Sequence, residues 1–390
     1  MKIFSHLVML VMIIGIVSTS CNNNDDNSHE YHVTFNSNGG SKVTPQIVRK
    51  GEKATKPDDP TYDGHTFIAW YKEEELTNEW KFEEDVVTAN ITLYAKWRSS
   101  FSFISGITID NYPKMDGSTS TEPLNTIIAC KLLGFDYEWI PAFHQQTRGV
   151  NPFYDQFWRL PVRASQTSQA FINLVDKKAD LILSARKMSS DEKDYAHAAE
   201  VSLIETPIAL DAFIFIVHPD NPIKSLTKKQ IQDIYTGKIT NWKEVGERDE
   251  KIRPYVRNRN SGSQELMESL VMKDLEIMEF PESVYEQYNP TLLTMWEPIE
   301  EVSREFNAIC YTVYYYNEQI VVGTKVKTIA VDGIYPDTET ISKYLYPYVA
   351  EVYAVIRTDL DHSSMAYKVY EWLQTEAGKG VIKESGYIPN

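Results

Sequence analysis

The fold class the sequence predicts is α/β: a mostly parallel sheet covered on both faces by helices, preceded by a small β-rich module. Three observations carry this. Near-continuous apolar runs at residues 179–184 (Ala-Asp-Leu-Ile-Leu-Ser) and 212–217 (Ala-Phe-Ile-Phe-Ile-Val) read as strands buried on both faces, with helix-like stretches such as 165–178 between them. Residues 31–97 show short alternating runs broken by turn residues, with no long helical period. A chain of 390 residues that is 42% hydrophobic can also hold two or three domains with sizeable cores.

From the start of the chain, residues 1–20 read as a secretory signal: Lys2 supplies the positive end, residues 7–17 a short apolar core, and small residues follow. Ser18-Thr-Ser-Cys21 resembles a bacterial lipoprotein cleavage site, which implies lipidation of Cys21. The polar residues 21–30 then form a flexible tether, and the protein is expected in the cell envelope, outside the cytoplasm and lipid-anchored, with its membrane contact made through the anchor only.

The module at 31–97 begins with the alternating Tyr31-His-Val-Thr-Phe-Asn36, turns at Asn38-Gly39-Gly40 and closes on Ile91-Thr-Leu-Tyr-Ala-Lys-Trp97. Together with residues 61–71 (Thr-Tyr-Asp-Gly-His-Thr-Phe-Ile-Ala-Trp-Tyr), these segments resemble the internalin-type B-repeat, also called the Listeria-Bacteroides repeat. The resemblance implies a β-grasp-like spacer or adhesive unit with no catalytic residues, and core roles for Trp70 and Trp97. Residues 98–103 are the expected linker.

The net charge of -16 argues against nucleic acid or an anionic membrane surface as partner, since both need a basic face. It leaves a small anion open, because distant charge is screened within about 8–10 Å. Two stretches are built to hold one. In residues 256–264, Arg257 is followed by a Ser261-Gly262-Ser263 turn that opens a helix-like run. In Asp116-Gly-Ser-Thr-Ser-Thr-Glu-Pro-Leu124, the hydroxyls of Ser118, Thr119 and Ser120 precede another helix, with Pro123 suited to its first turn. The first N–H groups of a helix lack intrahelical acceptors and sit at the positive end of its dipole. One hydroxyl-rich helix start is ordinarily a cap; two facing each other make an oxyanion cradle. Ser184 and Arg186 occupy a strand end, where ligands of such sheets bind.

No Cys/His spacing of a metal site is visible, and no cofactor is expected. Cys130 and Cys310 sit in apolar runs and read as buried free thiols. No serine has a partner base in sequence that would make it a nucleophile, so an enzyme is not expected. The aromatic stretch 144–160, containing Arg148, Phe153, Tyr154, Phe157, Trp158 and Arg159, is read as packing over the edge of the first lobe.

Four ordered motifs carry a second resemblance: residues 109–124, residues 226–246 (Leu-Thr-Lys-Lys-Gln-Ile-Gln-Asp-Ile-Tyr-Thr-Gly-Lys-Ile-Thr-Asn-Trp-Lys-Glu-Val-Gly), Arg257 with Ser261-Gly-Ser263, and the ending 378–389. They resemble the phosphate-binding protein of bacterial phosphate ABC transporters. The resemblance implies a two-lobed, hinged periplasmic-binding-protein fold of type II over 104–390, with lobe 1 from about 104–205 and 323–390 and lobe 2 from about 206–322. It implies a monomer that binds inorganic phosphate or a similar oxyanion and passes it to an ABC permease. Carried over, the anion ligands are Ser118, Thr119, Ser120, Ser184, Arg186, Arg257, Ser261, Gly262 and Ser263, while Gly237 and Trp242 hold the second lobe together. Phosphate-specific members place an Asp near the strand end as proton acceptor; this chain has Arg186 there, so an acceptor must come from elsewhere, with Asp116 and Glu122 the nearest candidates, the alternative being that Asp116 only caps the turn before Gly117 and Glu122 only complements the helix dipole. The rival reading is a surface adhesion or interaction protein in which the B-repeat binds a partner and the anion lobe is vestigial.

Overall fold

The computed structural model describes residues 29–62, 65–99, 104–142, 145–153, 159–279 and 290–390. The expected secretion signal, Cys21, the tether up to residue 28 and the linker from residue 100 lie outside the described residues, as do His144, Tyr154, Phe157 and Trp158. The chain divides into two units, Met1–Ser99 and Ser100–Asn390.

In the first unit, β1 (Glu30–Asn36), β2 (Gln46–Arg49), β3 (His65–Tyr71) and β4 (Ile91–Ser99) form one sheet in the order β2-β1-β4-β3. The central pair β1–β4 is parallel and both outer pairs are antiparallel. The alternation read from the sequence puts Val33 and Phe35 of β1 on one face, where they meet Val48, Trp70, Trp80, Leu93 and Ala95. Trp70 is fully buried and packs edge-on against Phe35 with ring centroids 4.9 Å apart. Trp97 is half-buried and donates its indole N–H to the Ser37 carbonyl at 2.7 Å.

The second unit opens with β5 (Met115–Gly117), α1 (Glu122–Leu133), the hairpin β6 (Tyr137–Ala142) and β7 (Thr147–Pro152), α2 (Thr167–Val175), β8 (Leu181–Ser184) and α3 (Ser190–Ala198). Next come β9 (Leu203–Val217), β10 (Ser225–Leu226), α4 (Lys228–Tyr235), β11 (Arg253–Pro254), β12 (Val256–Arg257) and α5 (Gly262–Leu266), which a π-helical turn extends through Met272. The chain ends with β13 (Thr291–Leu292), α6 (Glu297–Arg304), β14 (Ala308–Val313), β15 (Lys327–Val331), α7 (Thr338–Ser342), β16 (Val349–Arg357), α8 (Met365–Trp372), α9 (Glu376–Glu384) and β17 (Ile388–Pro389). The start signals do what they promise at α1, with Pro in its first turn, and at α4, where Thr227 and Gln230 form a capping box.

The expectation of a mostly parallel sheet needs correcting. The pairs β5–β8, β10–β15 and β11–β14 are parallel, but every pairing made by β9 and β16 is antiparallel. The cause is β9, whose 15 residues extend about 50 Å. Its first part pairs with β16 as far as Ala212, and its last residues, Phe213–Val217, pair with β14. One strand therefore runs through both lobes. The first lobe is carried by β5, β8, β16 and the start of β9, the second by β10, β11, β14, β15 and its end. β15, expected in the first lobe, pairs with the second-lobe end of β9 through Ile329 and Phe215. An apolar run announces burial without announcing direction.

The core is continuous through both lobes and includes Ile127, Leu183, Phe213, Phe215, Tyr311 and Val352. Cys130 and Cys310 are buried and free, and burial pushes both thiols up to about 12. Trp242 is buried in the second lobe, its indole N–H donating to the Asn307 carbonyl, and Gly237 takes a left-handed φ of 75° after α4. At the edge of the first lobe, Arg148 stacks over Trp139 at 4.6 Å and donates to Gln319. Among the described residues, no helix is long and apolar enough to cross a membrane.

Candidate anion-binding site

Three helix starts and one loop converge on a cavity of about 220 Å³ in the second unit. At about 30 Å³ per water this is room for roughly seven waters, suited to a small polar ion rather than a drug-sized ligand.

Ser118, Thr119 and Ser120 form the first wall, ahead of α1. They are pinned from behind. The Ser118 N–H donates to the Leu183 carbonyl at 3.0 Å, Thr121 Oγ1 donates to the same carbonyl at 2.9 Å, and Tyr387 Oη donates to the Ser120 carbonyl at 3.0 Å. Close approach to β8 requires Gly117, where a Cβ would lie 2.6 Å from the Leu183 carbonyl oxygen. The second wall is Gln166, Thr167 and Ser168 at the start of α2, which the sequence reading missed. The signal was the three hydroxyls in Ser165-Gln-Thr-Ser168; Gln166 has a left-handed φ of 70°, which its residue type does not advertise. The hydroxyls of Ser118 and Thr167 share a 2.9 Å hydrogen bond, and the Ala185 N–H donates to Ser118 at 3.0 Å.

Residues 257–263 of the second lobe supply the third wall. Ser261 caps α5 by accepting from the Gln264 N–H at 3.2 Å. Gly262 comes so close to the first lobe that a Cβ there would lie 2.8 Å from Thr167 Oγ1. Leu293, Thr294 and Met295, also missed, close the fourth side through a contact more than thirty residues away in the chain.

Arg257 is the principal cation. It is 5% exposed, and its backbone N–H donates to both Gln264 Oε1 (3.1 Å) and Tyr311 Oη (3.0 Å). Its guanidinium donates to the carbonyls of Leu292 (3.1 Å) and Leu293 (3.3 Å) and to Met295 Sδ (3.4 Å). Among the described residues it makes no ion pair with a carboxylate, and burial draws its pKa below the ordinary arginine value. Among the described residues, no Asp or Glu lines the cavity.

Seven of the expected ligands therefore meet: Ser118, Thr119, Ser120, Arg257, Ser261, Gly262 and Ser263. Ser184 and Arg186 do not line the cavity, which takes only Ala185 from that strand end. The Ser184 hydroxyl turns back to donate to the Arg186 carbonyl at 2.6 Å. Arg186 is buried in a bidentate pair with Glu192 on α3, and its Nη2 also donates to the Asn260 carbonyl at 3.3 Å. Asp116 does not line the cavity either. Its carboxylate accepts from the N–H groups of Gly117 and Ser165, both at 2.8 Å, and from Asn173 Nδ2 at 2.7 Å, tying β5 to α2. Glu122 is exposed in the first turn of α1, away from the cavity.

Residues 134–377 match the family model of the PBP superfamily domain. The chain belongs to the PBP superfamily. Residues 31–96 match the Listeria-Bacteroides repeat domain. The PBP superfamily match begins after the first wall, so residues 118–120 rest on the geometry above. The phosphate-binding protein PstS of Borreliella burgdorferi is 26% identical over 226 residues, covering 57% of this chain and 77% of its own length. PstS of Bacillus subtilis is 27% identical over 189 residues, covering 48% and 58%. The chain is also 40% identical over 98 residues, 24% of its length, to a protein of Evansella cellulosilytica described as a membrane protein, spanning only 15% of that protein's length. Among solved structures, a Clostridium perfringens protein described as a phosphate ABC transporter substrate-binding protein with bound phosphate superposes with a TM-score of 0.53 at 23% identity, covering 72% of this chain and 100% of its own. An ABC-type phosphate transport receptor from Vibrio cholerae superposes with a TM-score of 0.50 at 23% identity, covering 70% and 98%. At these identities the likeness is one of fold: the two-lobed binding-protein architecture of type II.

Proposed function

We propose that this chain is an extracytoplasmic solute-binding protein whose Ser100–Asn390 unit captures inorganic phosphate, or a tetrahedral oxyanion like it, between its two lobes. The observation that supports this most is Arg257, a buried cation without a carboxylate partner among the described residues, set in a cavity of hydroxyls and helix starts. Holding an unpaired charge out of water costs several kcal/mol, a cost that an arriving anion offsets. Donors from both lobes then close around it, so binding is coupled to lobe closure. The names of the PstS relatives point to the same ligand.

Delivery to an ABC permease, anchorage through a lipidated Cys21 and action as a monomer belong to this reading. They rest on the lipoprotein-like Ser18-Thr-Ser-Cys21 and on the relatives' names. The relatives are named as binding proteins, which supports binding without turnover. The repeat would serve as a spacer between anchor and domain. Calorimetric titration of the purified chain with phosphate tests the proposal: one site per chain is expected, and a chain that binds none of phosphate, arsenate and sulfate would leave the adhesion reading in its place.

A further inference from the structure

Two donors of the cavity converge on one sulfur atom. Arg257 Nη1 donates to Met295 Sδ at 3.4 Å, and the Ser263 hydroxyl donates to it at 3.7 Å. Met295 is only partly buried and belongs to the cavity wall. A thioether is a weak, neutral acceptor, so it holds these donors loosely and leaves them available to an anion. We propose that Met295 is an oxidation site whose sulfoxide shuts the cavity to oxyanions, an inference that rests on the oxyanion-binding reading.

The step needs a peroxide. The sulfur lone pair attacks one oxygen of hydrogen peroxide, the O–O bond breaks and an S–O bond forms. The departing hydroxide takes up the proton carried on the new oxygen and leaves as water. The thioether is oxidised by two electrons and the peroxide is reduced. The product carries a strongly accepting oxygen one bond from a sulfur that Arg257 and Ser263 already face. Its bond to the guanidinium is charge-assisted, and tethering gives it an effective concentration on the order of millimolar or more. An anion binding in the micromolar range or weaker must then displace an internal competitor. Other methionines of the unit do not share the position. Met115, Met267 and Met272 are almost fully buried, and Met188, Met278 and Met365 lie outside the cavity wall.

The test is phosphate titration of the full chain before and after hydrogen peroxide, with peptide mass spectrometry reporting an added oxygen at Met295. Oxidation at Met295 should weaken phosphate binding by about tenfold or more, and methionine sulfoxide reductase with dithiothreitol should restore it. Met295→Leu sets its own baseline, and that baseline should be the same before and after peroxide; if this variant does not fold, reductase rescue of the wild type carries the test. Complete oxidation of Met295 with unchanged affinity would overturn the inference. So would Met295 staying reduced while Met188 and Met365 convert, or Met295→Leu losing affinity on peroxide as the wild type does. Untreated protein that binds no oxyanion would overturn the binding reading itself, and this inference with it.

Discussion

Arg186 and Glu192 form a bidentate ion pair, at 2.7 and 2.8 Å, with both side chains almost fully buried. The pair fixes the strand end of β8 to the capping box of α3, where Glu192 also accepts the Ser189 N–H at 2.8 Å. Arg186 is thus neutralised within the first lobe, and its reach to the Asn260 carbonyl makes it a contact between lobes that does not line the cavity.

Arg186→Ala would leave Glu192 buried without its counter-charge. Breaking such a pair costs about 3–5 kcal/mol, so the melting temperature should fall by roughly 6 °C or more. A variant that melts like the wild type while losing phosphate binding would return Arg186 to the cavity.

This pair also marks where the sequence stops being legible. A hydroxyl-rich helix start is a local pattern, so residues 118–120 and 261–263 could be read directly, with Arg257 beside them. The direction of a side chain at a strand end is not local. Whether Arg186 faces a ligand or a carboxylate six residues later depends on how α3 packs back on α2. The same holds for Thr294 and Met295, which enter the cavity through the pairing of β12 with β13. The lobes were legible as alternating apolar runs, but the antiparallel pairing of β9 was not, because a strand buried on both faces reads alike in either direction.

Gly262 and Thr167 bring the two lobes close together in the cavity. A methyl at Gly262 would meet Thr167 Oγ1 at 2.8 Å, and that hydroxyl is held by Ser118. Gly262→Ala should therefore hinder closure and weaken anion binding by about tenfold, while the double variant with Thr167→Ala should recover part of the loss. Strictly additive losses in the double-mutant cycle would show that the two residues do not meet.

Asp211 predicts a pH dependence of stability. It lies in β9 beside the point where pairing passes from β16 to β14, and its Oδ1 accepts from the N–H groups of Ala212 (2.8 Å) and Tyr315 (2.9 Å). Its Oδ2 has no partner among the described residues, and burial raises its pKa to about 7. The folded state thus binds this proton more tightly than the unfolded one. The stability it contributes is full below about pH 4 and is lost as pH rises through about 7. Asp211→Asn should remove that slope, giving a protein a few kcal/mol more stable than the wild type at pH 8 but not at pH 4. Denaturant melts of the two proteins that stay parallel across pH 4–8 would refute it.

Discrimination between anions should be modest. Phosphate near neutral pH carries a proton that sulfate lacks, and a carboxylate facing the ligand rejects sulfate by leaving two acceptors opposed. Among the described residues no Asp or Glu lines this cavity, and both oxygens of Asp116 are already occupied. Sulfate should compete within about a hundredfold of phosphate, against the roughly 10⁴–10⁵ that a matched polar contact gives. Sulfate that fails to compete at high excess would mean that an acceptor forms on closure.

The role of Arg257 is the centre of this account, and titrating Arg257→Ala with phosphate beside the wild type addresses it most directly. Its backbone is held by Gln264 and Tyr311, and among the described residues of the cavity its charge has no substitute, since Arg259 is exposed and paired with Asp191. Losing one partner of a buried charge-assisted pair costs about 2–5 kcal/mol, so phosphate affinity should fall by roughly two orders of magnitude or more. A folded Arg257→Ala protein that binds phosphate as tightly as the wild type would contradict the placement of the anion in this cavity.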